Sequence, residues 1–244
     1  MQPDEALARL RALGFGEDDA RTLFAHFDDA ERRGKAGHGY TRIEWLATLP
    51  DLDPSASPVL ELERPGFERW DGRGALGYVT LAAICDRLVA RRPEPARVVV
   101  ARRCFPTGTL GHWVRRLADV GLVALLTATS PPRLPHPDGG PPLVGTNPLA
   151  IGIPSAQGAP IVADVSMGKT TYGDVIAGQA SAEDLVPFGG EQAHKAFALA
   201  LGLQLLVESV AGDDYGAFLV AVDPEHGPTD FRGRAGDVRL PGDR

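Results

Sequence analysis

The chain has 244 residues, 43% of them hydrophobic, enough to bury the core of one large domain or of a main domain carrying a small helical one. Its net charge of −7 offers nothing electrostatic to nucleic acid or to an anionic membrane, so a small molecule is the expected partner. Cys85 and Cys104 make neither a disulfide framework nor a zinc spacing, no basic-then-apolar leader is present, and apolar stretches such as 120–126 are too short to span a bilayer, so a cytoplasmic location with reduced thiols is expected.

From the N-terminus, residues 3–13 show helical apolar spacing that stops at Gly14. Residues 17–33 begin with Glu17, Asp18 and Asp19 and finish with Arg32 and Arg33 before Gly34, the charge order that a helix dipole favours. A third short helix is predicted over 41–49, closed by Pro50, so that 1–50 forms a small helical subdomain. Residues 51–65 carry Pro and Ser with little periodicity and read as a linker to a main α/β domain over 66–244. Within it, 68–74 reads as strand and turn, 77–91 as an amphipathic helix, 96–101 as a buried strand, 110–120 as a helix and 122–127 as the next strand. Residues 130–142 hold six prolines, so they run extended and cannot join a central strand. Residues 193–211 are apolar around most of a helical circumference, which predicts burial. A late strand is predicted over 216–223, and the tail beyond Pro224 shows no periodic element.

The most informative stretch is Gly145-Thr-Asn-Pro148 and the apolar run after it, followed by Asp164 inside the run 161–165. Thr146 and Asn147 set two hydrogen-bonding side chains between a flexible and a rigid residue, the make-up of a loop at the mouth of a sheet. Asp164 is costly to bury unless a partner satisfies it, and a strand-end Asp facing water is the alternative. Upstream, His38 precedes the third helix and Arg42 follows four residues on, so both point the same way if the turn is already helical. A guanidinium fork beside a titratable donor suits a 2-oxo or 2-imino acid, the fork holding the carboxylate and the imidazole delivering a proton. A capping His and a solvated Arg would look the same. Met167-Gly-Lys-Thr170 is half a phosphate loop, but Ala163 stands where the leading Gly belongs. Only Lys35, Lys169 and Lys195 occur against 22 arginines, so each lysine marks a place where a compact point charge could matter.

The Gly145-Thr-Asn-Pro-Leu-Ala150 segment, the His38-Gly-x-x-Arg42 segment and His194-Lys195, in their order and spacing, resemble the type-2 malate/L-lactate dehydrogenase family, which includes sulfolactate and ureidoglycolate dehydrogenases and cyclic imino-acid reductases. The resemblance implies an α/β fold with a mixed, non-Rossmann sheet flanked by helices, a small N-terminal helical subdomain covering the site, and a homodimer. It implies His38 as acid/base assisted by Asp164, and Arg42, Thr146 and Asn147 on the substrate. Gly108, Thr129, Ser130, His194 and Lys195 match positions that meet the cofactor, NAD or NADP, and no metal is implied. Gly37 stands where the family has Ser, Pro106 where it has His, and the chain is shorter than its relatives after Val175 and again before Val238. The expected activity is NAD(P)H-dependent reduction of a small 2-oxo or cyclic 2-imino acid, or the reverse oxidation. Two alternatives stand beside it: a cofactor-free tautomerase, lyase or cyclase using His38, Arg42 and Asp164, and a catalytically dead homologue partnering an active subunit.

Overall fold

The computed structural model describes residues 1–243. Helices α1 (Pro3–Ala12) and α2 (Glu17–Arg32) form where apolar periodicity meets matched end charges, with acidic residues in their first turns and arginines in their last, and the short α3 (Thr41–Leu46) follows them. Gly14 and Gly34, at φ +97° and +70°, let the chain leave α1 and α2 in a conformation that a side chain would resist. Leu10, Leu23, Phe27, Ile43 and Leu46 are fully buried, and they share one core with Tyr78, Leu81 and Ile84 of α4 (Gly77–Ala90) and with the strands beneath.

Residues 51–65, expected as a linker, contain β1 (Val59–Arg64), which pairs antiparallel with β2 (Phe67–Asp71). Pro65 and Gly66, the latter at φ +72°, turn the hairpin. The alternation Leu60-Glu-Leu-Glu63 is a strand signal, but a register shift between Leu60 and Leu62 breaks its regularity. This edge strand also offers its carboxylates to arginines: Glu61 to Arg69, Glu63 to Arg87.

The chain continues through β3 (Ala96–Arg102), α5 (Leu110–Asp119), β4 (Val123–Ala128), β5 (Leu134–His136), β6 (Gly139–Val144), β7 (Leu149–Ile153), β8 (Ile161–Val165), α6 (Tyr172–Ile176), α7 (Ala193–Ala211), β9 (Ala217–Val222) and α8 (Phe231–Ala235). Among the described residues, seven strands make one mixed sheet in the order β1-β2-β3-β9-β4-β7-β8. β2 and β3 run parallel across the α4 crossover, and every other neighbouring pair is antiparallel. The proline-rich segment stays out of this sheet and forms its own two-stranded ribbon, β5 with β6.

Side-chain alternation assigns the two faces. Val99, Ala101, Leu126, Leu219 and Ala221 point into the core under α4 and α5, whereas Val100 and Phe218 pack with Val207 and Ala211 of α7 on the opposite face. The expected burial of α7 is not realised: Ala196, Phe197, Ala200, Val207 and Ala211 are buried, but Leu199 and Leu205 are 52% and 54% exposed. Among the described residues nothing lies over its outer side, so only the stripe facing the sheet is covered. With the turn before it, residues 190–211 are also long and apolar enough to cross a bilayer, contrary to the expectation that every apolar stretch is too short. In the tail, where no element is expected, α8 forms and Arg232 pairs with Asp243; five residues are too few to show a period.

Because β3, β4 and β8 point one way and β7 and β9 the other, the loops after β3, after β4, before β7 and after β8 all gather at one end of the sheet. The connection between α2 and α3 is laid over that end.

Candidate active site

A cavity of about 270 Å³ opens where these loops meet, and Lys35, His38, Arg42, Asp164 and Asp174 line it. His38 closes the 3-10 turn Ala36–His38, its backbone N–H donating to the Lys35 carbonyl at 2.8 Å. Its Nδ1 is buried without a hydrogen-bond partner. Burial, and then the Arg42 charge, push its pKa down to about 4, against the opposing pull of Asp174 and Asp164. The resting imidazole is therefore neutral at neutral pH.

Arg42, 7% exposed, comes from the first turn of α3. Its Nε donates to the Gly37 carbonyl at 2.9 Å, and its guanidinium lies 4.7 Å from the Trp45 ring centroid. The terminal nitrogens meet no acidic partner among the described residues. The fork is thus fixed at its base and free at its tip.

Asp164 sits near the end of β8, beside Gly111 at the start of α5. The expected direct pairing with His38 is not formed; Lys35 Nζ donates to Asp164 Oδ2 at 2.8 Å instead. The ammonium, carried on a long stem from the end of α2, reaches the carboxylate first. Lys35 is a site residue that the motifs did not name, although the scarcity of lysine pointed to it.

Asp174 was also missed. It is residue N3 of α6, in a capping box with Thr171, and its Oδ2 accepts from the Thr171 amide at 3.0 Å and the Thr171 hydroxyl at 2.8 Å. Burial acts to raise its pKa, but Thr171, the His38 charge and Thr170 outweigh that, so the carboxyl stays below its ordinary range. The Thr-x-x-Asp spacing was the available signal. The same helix accounts for Gly37: a Cβ there would meet Gly173 C at 2.5 Å and Asp174 N at 2.6 Å, so no serine fits while α6 stays in place.

Gly108, Thr129, Ser130 and Thr146 all line the cavity. Gly108 has φ +67°, and a side chain there would strike His26 and Tyr78. The Thr129 hydroxyl is spent on the Gly216 amide, whereas Ser130 Oγ accepts from the Thr146 amide at 3.2 Å. Asn147, expected on the substrate, is fully buried outside the cavity. Its φ of +28° turns the side chain under the loop, where Nδ2 donates to the Ala200 carbonyl at 2.9 Å and to Gln204 Oε1 at 3.1 Å. It ties the loop to α7. His194 and Lys195 are exposed on the first turn of α7 and do not line the cavity. Pro106 does line it, together with Trp45, Phe105, Pro131, Pro148 and Tyr172. These give an apolar wall, and Arg133 a cation, a lining that fits a nicotinamide nucleotide.

A family model described as malate/L-lactate dehydrogenase matches residues 4–185. That range contains every cavity residue named above; His194 and Lys195 lie beyond it. A Δ1-pyrroline-2-carboxylate/Δ1-piperideine-2-carboxylate reductase of Pseudomonas syringae pv. tomato is 28% identical, the alignment covering 95% of this chain and 83% of that protein. A (2R)-3-sulfolactate dehydrogenase (NADP(+)) of Chromohalobacter salexigens is 32% identical over 74% of this chain and 55% of its own length. The crystal structure of a Δ1-piperideine-2-carboxylate reductase from Pseudomonas syringae pv. tomato superposes with a TM-score of 0.80 at 26% identity, covering 98% of this chain and 89% of that one.

Proposed function

Since the chain belongs to the malate/L-lactate dehydrogenase family and is an oxidoreductase of that kind, we propose that it reduces a small 2-oxo acid or cyclic 2-imino acid with NAD(P)H, or runs the reverse oxidation. The observation that carries this reading is the pair formed by Arg42 and His38: a buried guanidinium with a free fork beside a neutral imidazole, in one cavity. The fork takes the substrate carboxylate with two parallel hydrogen bonds, which sets C2 and its oxygen or nitrogen beside His38. The imidazole then gives a proton to that atom in reduction, or takes one in oxidation. Bound carboxylate neutralises Arg42, the largest charged influence depressing His38, so the imidazole gains proton affinity once substrate is present. Asp164 and Asp174 hold two negative charges nearby and favour the imidazolium. Gly108, Thr129 and Ser130 are the residues that would hold a nicotinamide, which when bound would supply or accept the hydride at C2.

One observation favours a second reading, cofactor-free acid/base chemistry on the same carboxylate: His194 and Lys195, expected on the phosphates, lie outside the cavity. Calorimetric titration with NADH and NADPH separates the two. Binding of either, with its oxidation in the presence of pyruvate or Δ1-piperideine-2-carboxylate, is the expected result. Absence of dinucleotide binding at millimolar concentration, with turnover that still needs His38, would establish the second reading instead.

A further inference from the structure

The proline-rich segment after β4 has a role beyond staying out of the sheet. Pro131 and Pro132 stiffen the chain before Arg133, whose amide donates to the Val144 carbonyl at 2.8 Å, and Leu134 after it is fully buried. A backbone pinned on both sides carries the Arg133 side chain into the cavity. There its guanidinium carbon lies 3.4 Å from the centroid of the Tyr172 ring. Tyr172 is itself fixed as the first residue of α6, next to the Thr171–Asp174 capping box. Arg133 forms no ion pair among the described residues. The carboxylates lining the same cavity are engaged elsewhere, Asp164 by Lys35 and Asp174 by Thr170 and Thr171.

Two guanidiniums thus face one cavity in the same manner, Arg42 on Trp45 and Arg133 on Tyr172, each stacked on an aromatic face and each lacking an acid. A stacked arginine keeps its edge free for a planar or tetrahedral anion and has lost part of the rotamer freedom that binding would otherwise cost. Given the proposal that Arg42 holds the reacting carboxylate, we propose that Arg133 is a second anion anchor, binding another carboxylate, sulfonate or phosphate of the bound molecules. The anion is either the distal acid group of a dianionic 2-oxo acid or a phosphate of the dinucleotide. Tyr172 is the positioning residue that holds the anchor in place.

Calorimetry on wild type, Arg133→Gln, Tyr172→Phe and Tyr172→Leu, with lactate, malate, NADH and NADPH as probes, tests this. If Arg133 meets the distal acid of the substrate, Arg133→Gln weakens malate about tenfold to a hundredfold and leaves lactate unchanged. If it meets a phosphate, the same loss appears for a dinucleotide and the malate-to-lactate ratio is kept. In either case Tyr172→Phe retains affinity and Tyr172→Leu loses part of it. Unchanged affinities for all four probes in Arg133→Gln would overturn the anchor. Arg42→Gln serves as the control: if it weakens lactate and malate while Arg133→Gln does nothing, the reductase reading survives and only the anchor falls.

Discussion

His38 and His26 are both held neutral by their surroundings, for different ends. His38 faces the cavity with a pKa near 4, and its removal tests the chemistry: His38→Ala should lower turnover by about 10²- to 10⁴-fold while lactate affinity stays within a few-fold, because proton transfer is made in the transition state. Turnover within tenfold of wild type would remove the residue from that role. His26 is fully buried under the loop at Gly108, its Nε2 accepting the Thr109 amide at 3.1 Å and its Nδ1 unpartnered. Burial, followed by the His112 charge, drives its pKa well below 6.5. For both imidazoles the folded pKa lies below the unfolded one, so the unfolded chain binds more protons as pH falls. Their contribution to stability is complete above about pH 6.5 and is lost progressively as pH drops toward the folded values, by up to about 1.4 kcal/mol per pH unit for each. Thermal unfolding should therefore shift to lower temperature between pH 6.5 and 5, a window above the titration of the paired carboxylates, and His26→Gln should remove part of the shift. A melting temperature that does not change across that window would contradict the assignment.

At the scale of elements, the 3-10 turn that carries His38 is locked to α6 by two glycines, Gly37 and Gly173, whose backbones touch. Gly37→Ala should force the two apart, at a cost of about 1–3 kcal/mol in stability, and weaken carboxylate binding as well, because the Gly37 carbonyl anchors Arg42 Nε. Denaturant unfolding together with lactate titration measures both effects; a variant with wild-type stability would mean that α6 does not pack there. Most elements were legible in the sequence because each carries its own signal, such as the acidic first turn of α2, the glycines that stop α1 and α2, and the apolar runs of β3, β4 and β8. β1 was not, because its alternation is broken by a bulge and bordered by prolines. In the site, His38, Arg42 and Asp164 could be named from motifs, whereas Lys35 and Asp174 left only indirect signals, the scarcity of lysine and a Thr-x-x-Asp spacing, and Arg133 left none. Their roles arise from contacts between distant segments, as with Lys35 and Asp164, 129 residues apart. Asn147 failed in the opposite sense, since a polar side chain in a site loop can as well turn inward and hold the loop.

At the scale of the whole molecule, α7 presents an uncovered apolar face among the described residues. On α7, Leu199, Gly202, Leu206 and Val210 fall on one side of the helix at spacings of three to four residues, and all are exposed. The opposite side is packed on β3, β4 and β9, and the helix carries few charges along its length, with Lys195 near the start and Glu208 near the end. A continuous apolar stripe broken only by a glycine suits the close approach of a second helix of the same kind, and a twofold axis lets one stripe meet its own copy. We propose that two chains pair through this face to form the homodimer that the family resemblance implies. Light scattering should then give a dimer at micromolar concentration, and Leu206→Glu, which places a carboxylate at the centre of the stripe, should give a monomer with the helix content retained. A wild-type monomer at that concentration would rule the dimer out. If such a monomer instead co-sedimented with lipid vesicles, the length and apolar surface of α7 would be serving a bilayer.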